Sequence, residues 1–162
     1  MDPVTETPTE PVDYAALNAV WAGLLVGVLA TTKGEAPKFG ELPVYGLASF
    51  ALTKAIAKEK VGTWVRDPLI DESDRTPKGS RLRYAAGELL TCTRCLGTWS
   101  SLGLIGLNAA RPREGRIVVG ILATAGANDW LQAGFSWLTA RSNVEGKLAE
   151  VPLDDTRFTR TV

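Results

Sequence analysis

Apolar residues fall along the chain in four blocks, separated by runs rich in charge, proline and glycine. The first, Tyr14 to Thr32, holds nineteen residues without a charge. Its apolar positions occupy every face of a helix, so it is not an amphipathic surface helix. As a helix it is roughly 28 Å long, close to the hydrocarbon thickness of a bilayer. Gly34, Pro37 and Gly40 break the pattern before the second block, Leu42 to Thr53, which is uncharged for twelve residues. That block reaches spanning length if Phe39 joins one end and Lys54 snorkels at the other, with Ala55, Ile56 and Ala57 continuing the helix. Pro43 suits a first turn, where its missing N–H costs nothing. The third block, Leu89 to Ala110, is interrupted only by Arg94, and the fourth, Ile117 to Ala140, carries the single charge Asp129.

Between the second and third blocks, Lys54 to Glu88 contains eight Lys/Arg and six acidic residues. Its middle, Asp67 to Ser80, is rich in Asp, Pro, Gly and Ser and predicts an exposed loop. Trp64 fits the headgroup level beside Arg66. Only helices and closed barrels span lipid. The pattern therefore predicts an all-α, polytopic membrane helical bundle of about four transmembrane helices, at 14–32, 39–57, 92–110 and 117–140, within a membrane domain 14–140. Residues 58–88 form its cytoplasmic loop, 1–13 a flexible acidic, Pro-rich tail, and 141–162 a polar C-terminal tail. The central loop and C-terminal tail hold twelve Lys/Arg, against five in the two short loops: Lys33, Lys38, Arg111, Arg113 and Arg116. The positive-inside rule then puts both termini in the cytoplasm.

Composition narrows the chemistry. Lys+Arg and Asp+Glu both number 18, which argues against a nucleic-acid partner. Histidine is absent, removing imidazole acid–base chemistry and His-ligated zinc. Two cysteines cannot complete a four-ligand zinc site in one chain. No phosphate-cradling loop or paired catalytic carboxylates stand out. The expectation is no catalytic residue, no metal and no cofactor.

Three features remain. Cys92 and Cys95 form a CxxC at the start of the third block, with Arg94 between them. Such a pair near a helix N-terminus suits a redox dithiol, or half of a metal site completed by a partner; it also suits plain packing of two small, soft side chains. Asp129 sits where a carboxylate costs roughly 2.5–3.5 kcal/mol in lipid, so it belongs on an interior face, with Ser100, Ser101, Gln132 and Arg94 as partners to consider. Small residues suit close helix packing: Gly23 and Gly27 as a GxxxG pair, Gly97, Gly103 and Gly106 on the third helix, and Gly120 and Gly126 on the fourth.

Two stretches together resemble a bacterial membrane family of unknown function, DUF1360. They are Ala48 to Lys54 followed by Val61 to Pro68, and the run Gly87-Glu-Leu-Leu-Thr-Cys92-Thr-Arg-Cys95-Leu-Gly97-Thr-Trp99. Lys54, Arg66, Pro68, Glu88, Cys92, Cys95, Gly97 and Trp99 are the positions that carry the likeness. The resemblance implies an integral membrane protein, links some members to sporulation in bacilli, and implies no established activity. Spans and packing motifs outnumber catalytic groups, so the leading expectation is an accessory or assembly subunit of a larger bacterial membrane complex. Its partners would be other membrane subunits, or a second copy of this chain, and the lipid bilayer. A membrane thiol redox protein or sensor using the CxxC is the alternative, and a proton-coupled transporter component using Asp129 a weaker one.

Overall fold

A computed structural model describes residues 6–32 and 37–149, with side chains as far as Glu145. Every regular element among these residues is helical, apart from one isolated bridge between Ile70 and Pro77. The helices are α1 (Pro11–Thr31), α2 (Leu42–Ala57), the single turn α3 (Thr63–Arg66), α4 (Leu82–Thr91), α5 (Thr93–Ala110) and α6 (Pro112–Ala149). The chain divides into two compact units, Met1–Gly126 and Ala127–Val162.

In the first unit α1 packs on α4 and α5, and α2 lies along α5. The all-round apolar sequence of α1 resolves into one contacting stripe: Tyr14, Leu17, Trp21, Leu25 and Val28 are half-buried, while Val20, Leu24, Val26 and Leu29 stay exposed. The recurrence every three or four residues is that of one helix face. Between α2 and α5 the contact is made by hydroxyls. Ser49 donates to the Gly97 carbonyl (2.9 Å), Ser101 donates to Ser49 (3.0 Å) and Thr53 donates to Ser100 (3.1 Å). Thr53 also lies against Gly97, four residues before the Ser101 that meets Ser49, so the two helices are antiparallel. Ala48, Leu104, Val119 and Ala123 close a small core where the start of α6 joins them.

The distribution of side-chain size is inverted relative to a protein packed in water. Five of the ten buried apolar residues among those described are alanines: Ala48, Ala51, Ala57, Ala85 and Ala123. Large apolar side chains such as Leu24, Val26, Phe50, Ile121, Leu131 and Phe135 are exposed. Small residues inside and large apolar residues outside is the pattern of helices packed in lipid; in water, continuous apolar surface of this kind marks an interaction face. One described helix, α1, is long and apolar enough by itself to cross a membrane. α2 has 16 residues, and α5 and α6 are diluted by Gly, Ser, Thr and charged residues.

The region expected as an exposed loop keeps Asp67, Asp71, Ser73 and Asp74 exposed, and it also has internal structure. Arg66 is 1% exposed and Ile70 fully buried. The Arg66 guanidinium donates to the carbonyls of Ile56 and Glu59 (the latter at 3.0 Å) and grips Glu72 through Nε (2.7 Å) and Nη2 (3.1 Å). Arg75 donates to the Ala57 carbonyl. Two arginines thus satisfy the last carbonyls of α2, which the helix itself leaves without partners. Asp71 and Asp74 each turn the backbone through side-chain bonds, to Ser73 and Thr76 respectively. The charges that made this segment look solvated are spent on tying it down. Residues 6–13, expected as part of a flexible tail, are also placed. Glu10 and Asp13 pair with Arg81, and the Arg81 N–H bonds to the Pro8 carbonyl (2.7 Å). Residues 1–5 of that tail, and 150–162 of the C-terminal one, lie outside the described residues.

Candidate functional site

The chain turns between α4 and α5 on one residue. Cys92 has extended geometry (φ −84°, ψ 100°), its N–H closing α4 on the Glu88 carbonyl and its carbonyl opening α5 on Leu96 N–H. Thr91 and Thr93 flank it, and β-branched residues on both sides weaken continuation of the helix. Cys92 is therefore the N-cap of α5: its Sγ accepts the Cys95 backbone N–H at 3.3 Å. One turn later the Cys95 thiol comes to 2.6 Å from Cys92 Sγ, and both cysteines are free and half-buried. The positive end of α5 and the first-turn N–H favour negative charge on Cys92. Arg94, between them, is exposed.

Cys95 faces a cavity of about 240 Å³ lined also by Tyr14 and Leu17 of α1, Glu88 of α4 and Trp99 of α5. The Tyr14 hydroxyl donates to the Glu88 carboxylate and lies 3.1 Å from the Thr9 hydroxyl. This contact joins residues 74 apart in sequence, and no spacing rule reaches that far. Glu88 stood out only as one position of the family-like run; its role as the acceptor for Tyr14 is visible in the fold alone.

Other candidates are distributed. Ser101 donates to Ser49, and Ser100 accepts from Thr53. Asp129 lies half-buried in the second unit, on the same helix as exposed Trp130, Phe135 and Trp137. The glycines separate into two kinds. Gly97 faces Thr53, Gly106 faces Val28 of α1, and Gly126 lies against the Leu47 backbone. Gly23, Gly27, Gly103 and Gly120 have open space where a Cβ would stand, among the described residues. Among those residues no group of three or more Cys, Asp or Glu is arranged to hold a metal ion.

The dithiol, Glu88, Arg66 and both faces of the α2–α5 contact fall in one stretch, residues 44–135, that matches the family of proteins of unknown function DUF1360. No curated protein and no solved structure matched the chain.

Proposed function

The chain belongs to the DUF1360 family, and on that premise we propose that it is a multi-pass protein of the bacterial cytoplasmic membrane whose α4–α5 junction exchanges thiols with disulfides. The membrane part of the reading is supported by the inverted distribution of side-chain size and by α1. α1, α2, α5 and α6 are the four spans of the proposal. Arg141 over the Trp137 ring, 5.6 Å from its centroid, suits a lipid–water boundary in α6.

The chemical part rests on one observation: Cys92 Sγ caps α5 with Cys95 Sγ 2.6 Å away. Cys92 as thiolate attacks a disulfide of a partner, forms a mixed disulfide and releases one partner thiolate. Cys95, having lost its proton to solvent, then attacks Cys92 Sγ and releases the second. Two electrons leave the chain, an intrachain disulfide forms, and the partner disulfide becomes a dithiol; the reverse sequence oxidises a partner. Arg94 adds positive charge beside the thiolate.

The test is thiol trapping of the full chain in membranes equilibrated with glutathione buffers of graded potential. Both cysteines should become protected together over one two-electron transition, and Cys95→Ser should accumulate Cys92 as a mixed disulfide. Two thiols that stay alkylatable at every potential would defeat the proposal.

A second reading has its own observation. The Gly23/Gly27 face of α1 is open among the described residues, so it supplies a close-approach surface for another helix. That favours an accessory or assembly subunit of a larger membrane complex, docking through α1.

A further inference from the structure

A second cavity, of about 630 Å³, runs between α2 and α5 on the side that the dithiol does not use. It exists because the facing positions are small: Gly46, Ser49 and Thr53 on α2, and Gly97 and Ser101 on α5. The hydroxyls here are turned onto one another and onto the Gly97 carbonyl. With those polar atoms satisfied, the wall presents mostly carbon, and Phe50 borders it.

One end is different. Lys54 leaves the last turn of α2, Lys58 follows as its C-cap, and Arg94 leaves the first turn of α5. Glu59 takes part of the Lys54 charge at 3.3 Å; Lys58 and Arg94 are exposed. The α5 N-terminus adds positive partial charge. The negative end of α2 is covered by Arg66 and Arg75 on the carbonyls of Ile56 and Ala57. The sum at this mouth is cationic.

A small inorganic anion would find nothing along the carbon wall, and a neutral lipid nothing at the charged mouth. Both parts together fit a molecule with an anionic head and a hydrocarbon tail. We propose that the groove holds one anionic phospholipid, its phosphate between Lys58 and Arg94 and an acyl chain along Gly46 and Gly97. Basic pockets between membrane helices on the cytoplasmic side recognise such headgroups. The inference rests on the membrane reading but not on the dithiol.

The experiment is native mass spectrometry of the full chain in neutral detergent, titrated separately with dioctanoyl phosphatidylglycerol, dioctanoyl phosphatidylcholine and inorganic phosphate. One phosphatidylglycerol per chain should bind, with phosphatidylcholine much weaker. Lys58→Gln with Arg94→Gln should weaken it by roughly thirtyfold, the loss expected for two charges at a lipid headgroup. Gly46→Leu is a second variant, because a Cβ there meets open space and the added side chain fills the groove without disturbing the helix. It should fold as the parent chain does and lose the lipid. Equal binding of the two lipids overturns the inference, as does an unchanged double variant or displacement of the phosphatidylglycerol by equimolar phosphate. Alkaline extraction of cell membranes separates the two failures. A chain released into the supernatant ends the membrane reading, whereas a chain that stays in the pellet without lipid preference ends this inference alone.

Discussion

Arg66 is a charged residue at 1% exposure, which is tolerable only because every side of its guanidinium has an acceptor. Removing it strands the Ile56 carbonyl, leaves the Glu59 carbonyl with only the Gly62 N–H, and leaves Glu72 with only the more distant Arg75. Arg66→Ala should cost about 3 kcal/mol, the low end for a broken buried pair because Glu72 keeps part of its surface in water; unfolding of the detergent-solubilised chain measures it. The same contact gives a pH dependence. The Arg66 hydrogen bond holds the Glu72 carboxyl below its ordinary 4.5, with the charges of Arg66, Arg75 and Lys78 acting in the same sense against some desolvation. A carboxylate with a depressed folded-state pKa contributes stability that is complete above its ordinary value and disappears as pH falls through the folded one. The melting temperature should therefore drop on acidification below about 4.5, and Glu72→Gln should remove part of that drop. Asp71, held low by the Ser73 hydroxyl and N–H, contributes in the same sense. An identical acid profile in the variant would show that the pair does not stabilise the fold. The sequence marked Arg66 as part of a family-like stretch and placed it in a basic loop; the acceptors that bury it come from the end of α2 and from Glu72, brought together only by folding.

Among the elements, α2 and α5 show what periodicity reads well and what it misses. Their apolar blocks announced helices, and the bounds Leu42, Ala57 and Ala110 fall where charge and proline interrupt the pattern, whereas the start of α5 at Thr93 is set by the Cys92 cap inside the third block. The hydroxyl contacts between them were not legible, since Ser49, Thr53, Ser100 and Ser101 satisfy one another only in one antiparallel register. Glycines make the same point by contrast. A Cβ on Gly62 would strike the carbonyl oxygens of Ala55 and Ile56 and lie 2.8 Å from the Arg66 guanidinium. Gly62→Ala should destabilise by about 2–3 kcal/mol through overpacking. Gly27→Leu meets open space and should leave folding unchanged or slightly improved, Leu being the better helix former. In a crosslinking assay in native membranes it should weaken any association made through α1. Unaltered crosslinked species in Gly27→Leu would remove α1 as the docking face and with it the second functional reading.

At the scale of the whole molecule, the proposed orientation places the α2–α5 connection and both termini in the cytoplasm, where Lys/Arg concentrate. Ser73, at an exposed turn of that connection, reports it. Ser73→Cys in a Cys92→Ser/Cys95→Ser background should resist a membrane-impermeant maleimide in intact cells and react after lysis. Labelling of intact cells would invert the topology and move the dithiol junction to the oxidising side. By itself the sequence determined the helical class, the four apolar stretches and the position of the CxxC, because these depend on local pattern and on the length of apolar runs. The tertiary structure decided which stripe of α1 makes contact, that Arg66 is buried, that Tyr14 meets Glu88 beside Cys95, and that small residues leave a charged-mouthed groove between α2 and α5. Each of these is a relation between segments distant along the chain, set by register and close packing, and none is written in the periodicity of one segment alone.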